Sequence, residues 1–291
     1  MAGTTTSETH QSVPVIEVIR SQLPALSGAE RRVAEVVVAD PDHVMHSSVS
    51  DIASEAGTSL STVVRFCQTL GLAGFQALKI GLARGATGRS QPLPLGVGPD
   101  DDPTTVARGV LHEAAASLTR AAEGLEDGVL EAAVAAVAAA RRVLVVAVGT
   151  STPLAQDLAY RLKTVGVDAE APGDVHVQHV SARLLDSRDV SIAISHTGST
   201  VETVTATKTA RDAGAGTVGI TSFRRSPLTE QLDVAIVGGS PETAVRVEAV
   251  ASRLVHLALV DALVVALVLH LGAAAQTAQD LTSDVLDQHR F

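Results

Sequence analysis

The sequence predicts an α/β protein in two parts: an N-terminal all-α module of helix-turn-helix type, then an αβα sandwich whose parallel sheet is flanked by helices. Three observations predict it. Up to about residue 88, apolar residues recur only at helical intervals. Residues 85–104, GATGRSQPLPLGVGPDDDPT, are dense in Gly, Pro and Ser and carry neither helical nor strand periodicity. Beyond them, short apolar runs alternate with helical segments, the βαβ rhythm of a parallel sheet. The expected division is a first domain over 12–88, a linker over 89–104, and a second domain over 105–291 with its core at about 130–272.

In the first domain, Ser27-Gly28-Ala29-Glu30 has capping-box spacing, and Ala29, Val33, Val36 and Val37 then follow at helical intervals to a stop at Asp40-Pro41. A second helix places Val49, Ile52, Ala53 and Ala56 on one face and ends at Gly57. A third opens after Thr58-Ser59, turns Leu60, Val63, Val64, Cys67 and Leu70 inward, and ends at Gly71. Two short helices about a glycine-containing turn make a helix-turn-helix. The outward residues Ser61, Thr62, Arg65, Gln68 and Thr69 offer hydroxyls, a guanidinium and an amide, groups suited to phosphate and base-edge contacts in a major groove. Ser59, as N-cap, can present the helix N-terminus to a phosphate. From Gly57 to Ser90 the chain carries Arg65, Lys79, Arg84 and Arg89 and no acidic residue. The candidate DNA contacts are therefore Ser59, Ser61, Thr62, Arg65, Gln68 and Lys79, with Arg84 a further phosphate contact or a solvated charge.

After the linker, 104–140 reads as two helices broken near Gly124–Gly128. Strands follow at Val143–Val148, Asp168–Ala171, Val190–Ile194, Thr217–Thr221 and Val234–Val237. Helices lie between them at Pro153–Val165, Gln178–Leu185 and Val201–Ala213, and a last one runs from about Thr243 to Leu271. Ligands of such sheets bind at the carboxyl ends of the strands. Gly149-Thr150-Ser151 and Ser195-His196-Thr197-Gly198-Ser199-Thr200 both fall there, each between a strand and a helix N-terminus. Hydroxyls, close-approaching glycine backbone and a helix dipole together suit an anion, phosphate above all. A plain polar turn with a serine cap would need fewer hydroxyls.

With 22 basic against 32 acidic residues the net charge is −10, which excludes a protein that coats nucleic acid over its whole surface. Aromatic residues make up 2%, so Ala, Val, Leu and Ile must form the core. One cysteine, Cys67, allows no internal disulfide, and its place on an apolar helix face points to packing rather than redox sensing. The N-terminus lacks a signal-peptide pattern. The apolar run Leu254–Ala275 is interrupted by His256, Asp261 and His270, which favours a buried core helix over a membrane span. A cytoplasmic protein with no membrane partner is expected.

These residues together resemble the MurR/RpiR family of bacterial transcriptional regulators over nearly the whole chain. The N-terminal likeness runs through Leu26-Ser27, Ala29-Glu30, Ile52-Ala53, Ala56-Gly57, Ser61–Cys67, Leu70-Gly71, Gly74-Phe75 and Leu78-Lys79. The C-terminal likeness is to the sugar isomerase (SIS) domain, through Gly149–Ser151, Ser195–Thr200, Gly219–Thr221, Ser226–Leu228 and Ala251–Arg253 with Asp261. The resemblance implies that the two loops hold the phosphate of a phosphosugar, with Thr150, Ser151, Ser195, Thr197 and Thr200 as donors. Gly149 and Gly198 would allow close approach, and His196 would touch the phosphate or a sugar hydroxyl. Ser199 stands where many SIS loops have Glu, and Thr58 where many relatives have Val.

The expected function is a DNA-binding regulator of carbohydrate or amino-sugar genes, modulated by a phosphorylated sugar or sugar acid and acting as a homodimer or homotetramer on operator DNA. No cofactor and no catalytic residue are expected. The alternative is an SIS-type phosphosugar isomerase or muramic-acid phosphate etherase, which would leave the helix-turn-helix unused; Glu248 is the residue to examine for it. His176 and His179 share a helix face, but no further ligand accompanies them, so no metal is expected. With Asp174, they are candidates to line the sugar pocket.

Overall fold

The computed structural model describes residues 14–86, 98, 100–239 and 250–287, and the chain divides into two compact units at residues 94 and 95. The first unit is helical: α1 (Val15–Gln22), α2 (Gly28–Ala39), α3 (Pro41–His46), α4 (Val49–Glu55), α5 (Leu60–Thr69) and α6 (Phe75–Ala86). Ser27 with Glu30 and Ser48 with Asp51 close capping boxes on α2 and α4. Asp40-Pro41 stops α2 as expected and also starts α3. Asp40 accepts from the His43 N–H at 2.9 Å, and Pro41 takes the first helical position, where its missing N–H costs nothing. Ile19, Val33, Ile52, Val63, Phe66 and Leu78 meet in one core. A Cβ on Gly81 would run into Val15, so that glycine lets α1 lie directly on α6.

The second unit opens with α7 (Pro103–Glu123) and α8 (Val129–Ala139). Asp102, at the end of the stretch read as linker, caps α7 by accepting from the N–H groups of Thr104 (2.8 Å) and Thr105 (3.2 Å). Next come β1 (Val143–Val146), α9 (Thr152–Thr164), β2 (Ala169–Glu170), α10 (Val175–Arg183), β3 (Val190–Ile194), α11 (Val201–Asp212), β4 (Gly216–Thr221) and β5 (Val234–Val237). Described residues then form α12 (Val250–Leu271) and α13 (Ala273–Asp287). The expected start of the last helix, at Thr243, lies outside the described residues, as does Glu248. Gly272, with φ +55°, separates α12 from an additional helix absent from the sequence reading.

All five strands are parallel, in the order β2-β1-β3-β4-β5. The chain leaves β1 toward one edge and, after β2, crosses to β3 and the other edge. The switch point therefore falls between β1 and β3. The three central strands are buried on both faces: Val145, Ile192 and Ile220 pack with Leu158 and Leu263 on one, and Leu144, Val146 and Ala193 with Ala206 and Ala210 on the other. By length and composition α12 could cross a bilayer, yet Val255, Val260, Leu263 and Leu267 belong to the sheet's core and Asp261 pairs with Arg161 of α9. At the amino end of the sheet, Arg141 grips the buried Asp189 through Nε (2.9 Å) and a terminal nitrogen (2.7 Å), tying the start of β1 to the start of β3. The carboxyl end is left to the loops.

Candidate functional sites

In the helical unit, α4, the turn at Ala56–Ser59 and α5 form the helix-turn-helix. Gly57 takes φ +57°, which a residue with a Cβ adopts only under strain. Arg32 of α2 braces the turn from behind, its Nε donating to Ala56 O (2.9 Å) and a terminal nitrogen to Gly57 O (3.1 Å). On α5 the exposed residues Ser61, Val64, Arg65 and Gln68 fall at i, i+3, i+4 and i+7, one continuous stripe. Val64, read from sequence as inward, is 38% exposed and joins it. Its neighbour Val63 already fills the core, and the helix turns far enough between them to leave the second valine outside.

Two of the expected contacts, Thr62 and Lys79, are placed otherwise. Thr62 is buried, with its hydroxyl 2.9 Å from Ser59 Oγ. Ser59 is the exposed N-cap of α5 as expected, its Oγ accepting from the Thr62 N–H at 3.3 Å and lying 2.9 Å from Ser61 Oγ. Lys79 is buried, donates to Ser47 O at 3.1 Å and lies 5.8 Å from the Phe75 ring centre. Buried charge of this kind ties α6 to α3 rather than facing a polyanion. The side chain of Arg84 and all of Arg89 lie outside the described residues. Cys67 is fully buried, and burial pushes its thiol up to about 12, so it is an inert packing group.

In the α/β unit, the chain leaves β1 through Ala147 and Val148 into a tight turn, Gly149–Ser151, with Gly149 at φ +61°. The turn runs into α9. Beside it, β3 delivers Ser195–Thr200 to the start of α11. Ser195 is buried, and its Oγ lies 3.4 Å from Thr200 Oγ1. Gly198 has φ +59°, and a Cβ there would strike Ser226 Oγ and lie 2.6 Å from Ser226 Cβ. The loop is thereby pressed onto the segment after β4, and the Leu228 N–H donates to Gly198 O at 2.9 Å. Thr197 Oγ1 accepts from the Ser199 N–H at 3.2 Å, holding the loop's own turn.

Capping separates three neighbouring helix starts. Asp174 caps α10, accepting from the Val177 N–H at 3.0 Å, which commits the carboxylate considered above for the sugar pocket. Neither Ser151 on α9 nor Thr200 on α11 caps its helix with its side chain. At the start of α9 the Thr152 N–H donates to Gly149 O and Pro153 has no N–H, so the open donors of α9 lie deeper in its first turn; those donors and the first-turn N–H groups of α11 meet no capping side chain, next to Thr150, Ser151, Ser195 and Thr200. Such a pair of dipole ends with adjacent hydroxyls can hold one multivalent anion.

His196 is engaged with the segment that follows β4. Its Nδ1 lies 2.8 Å from Ser222 Oγ, and its ring stacks edge-on to Phe223 at 5.7 Å. Ser222 Oγ is also 3.0 Å from Nε2 of His256, which is 3.0 Å from Gly238 O. Burial, and then the nearby His196, lower the His256 pKa to about 3, so it is neutral. Ser222 and His256 escaped the sequence reading because neither lies in a loop motif. Gln178 escaped it too: buried, its amide nitrogen donates to Ala147 O and Pro172 O, both at 2.8 Å, pinning the chain just before Gly149. His179 Nε2 lies 3.0 Å from Glu202 O, and His176 is exposed. Among the described residues no group of three potential metal ligands converges.

Residues 13–87 match the family described as the helix-turn-helix domain, RpiR family, and residues 136–266 match the SIS domain. An HTH-type transcriptional regulator of Haemophilus influenzae, itself uncharacterized, is 32% identical over 279 residues, covering 94% of this chain and 97% of its own. The HTH-type transcriptional regulator HexR of Escherichia coli is 30% identical over 277 residues, covering 95% and 96%. Among solved structures, the NanR protein of Vibrio vulnificus complexed with ManNAc-6P superposes with a TM-score of 0.81 at 26% identity, covering 94% of this chain and 98% of that one. An RpiR-type helix-turn-helix followed by an SIS domain, matched end to end by regulators of this architecture, places the chain in the RpiR family of HTH-type transcriptional regulators.

Proposed function

We propose that the chain is a cytoplasmic regulator whose affinity for operator DNA is set by a phosphorylated sugar or sugar acid bound in its SIS domain, and that it controls genes of carbohydrate or amino-sugar use. The observation that carries this reading is the pair of helix starts on α9 and α11 that no side chain caps, lined by hydroxyls at the β1/β3 switch point. In this reading the Gly149–Ser151 and Ser195–Thr200 backbones, with the hydroxyls of Thr150, Ser151, Ser195, Thr197 and Thr200, take the phosphate, and His196 contributes through the backbone of its loop. Ser61, Val64, Arg65 and Gln68 face the major groove, where a valine suits a thymine methyl and a guanidinium suits guanine. Two copies act together, because one ten-residue recognition helix reads too few bases for useful specificity.

The SIS domain alone would serve an isomerase equally well, but a catalytic reading gives the exposed stripe on α5 nothing to do. The test is a thermal-shift panel of sugar phosphates that includes ManNAc-6P, the compound bound by NanR. A true effector at 100 times its Kd raises stability by about 2.7 kcal/mol. Ser195→Ala should abolish that shift and the ligand's effect on DNA binding. Turnover of a sugar phosphate by the purified protein would overturn the regulatory reading. Arg65→Ala should weaken binding to a duplex selected by the wild-type chain by about 1–3 kcal/mol.

A further inference from the structure

Glu30 lies on α2, outside the helix-turn-helix pair, and only 7% of it is exposed. Its Oε2 closes the α2 cap, accepting from the Ser27 N–H at 3.1 Å and from the Ser27 hydroxyl. The other oxygen is turned to the recognition helix: Oε1 accepts from Thr69 Oγ1 at 3.0 Å and lies 3.6 Å from Arg65 Nε. Capping needs one carboxylate oxygen, so the second is available for α5. The bonds from Ser27, opposed by burial and assisted by Thr69 and Arg65, hold the carboxyl below its usual range and keep it charged. Arg65, by contrast, has a side chain 60% exposed, and its Nε is the nitrogen that faces Glu30.

We propose that Glu30 is a positioning residue for DNA recognition, fixing the Arg65 guanidinium through Nε so that its terminal nitrogens are directed at a base edge. The proposal rests on the reading of Arg65 as a DNA contact. An exposed arginine loses rotamer freedom when it binds, and a guanidinium held beforehand loses less. The anchor also has a signature of its own. A carboxylate near the groove repels phosphates, so Glu30 lowers affinity for DNA in general while raising it for the correct sequence.

The experiment uses the full chain, a duplex selected from a random pool by the wild type, and a scrambled duplex of equal length. Glu30→Gln keeps the side-chain oxygen and the capping box but removes the charge. It should weaken the selected duplex roughly tenfold, as loss of one well-aligned base contact does, while the scrambled duplex binds as before or better. In an Arg65→Ala background the same change should cause no further loss on the selected duplex. Equal losses on both duplexes, or a loss that persists without Arg65, would overturn the positioning role. If Arg65→Ala alone leaves the selected duplex unaffected, the DNA role of Arg65 fails and this role with it. Thr69→Val leaves the cap and both charges in place and frees Glu30 at one point. It should give a smaller loss confined to the selected duplex, and it decides the matter if Glu30→Gln does not fold.

Discussion

A buried ammonium persists only where oxygen atoms or a π face replace its water, and Lys79 has the Ser47 carbonyl and the Phe75 ring. Its place in the fold assigns it to stability. Lys79→Ala should cost about 1–3 kcal/mol in urea unfolding by leaving the Ser47 carbonyl without its donor, and the folded fraction should bind DNA as tightly as wild type. A loss of DNA affinity at unchanged stability would show the lysine to be a DNA contact after all. Thr62 and Arg65 illustrate why residue type alone does not mark a contact. Both are polar and three positions apart on α5, yet one is buried against the Ser59 hydroxyl and the other stands 60% exposed over Glu30. Which side a polar residue takes depends on the position of α2, and α2 is not visible in the local pattern of α5.

Among the elements, helix starts differ in a way that predicts different costs for similar substitutions. Ser48 closes a capping box on α4, so Ser48→Ala should destabilise the first unit by about 1 kcal/mol. Ser151 occupies the corresponding position on α9 and makes no cap bond, so Ser151→Ala should change ligand-free stability by a few tenths at most. Equal costs would mean that α9 is capped in solution and closed to an anion. The main elements were legible because their signals are local: the capping box at Ser27, the apolar run Val190–Ile194, and the glycine after Ala56. Less legible were α3, hidden because Asp40-Pro41 reads as a stop when it is also a start, and α13, hidden behind Gly272. The loops Gly149–Ser151 and Ser195–Thr200 were legible as hydroxyl-rich turns between strand and helix. The His196–Ser222–His256 chain and, separately, the bond from Gln178 to Ala147 O were not, since they join residues 26 to 34 positions apart.

For the whole molecule, His256 sets a dependence of stability on pH. Its folded pKa of about 3 lies below the unfolded value of 6.5, so the unfolded chain takes up the proton first. The contribution is fully present above pH 6.5 and is lost as pH falls toward 3, at about 1.4 kcal/mol per unit well inside that window. Urea unfolding between pH 7 and 4.5 should show this slope, and His256→Gln should flatten it; an unchanged slope in that variant would remove His256 as its source. His43 has the opposite sign, raised by its bond to Glu55, but it is half exposed and solvent screens it. The open ends of α9 and α11 have a consequence for the molecule at rest. Each helix start carries roughly half a positive charge, and the two are embedded in a chain of net charge −10. Without an effector those two positive helix ends, at the carboxyl ends of the neighbouring strands β1 and β3, have no capping side chain to offset them, so the purified protein should be less stable in an anion-poor buffer. Millimolar inorganic phosphate, too dilute for general salting effects, should then raise the melting temperature of the wild type more than that of Ser195→Ala, making the choice of buffer itself a measurement of the site.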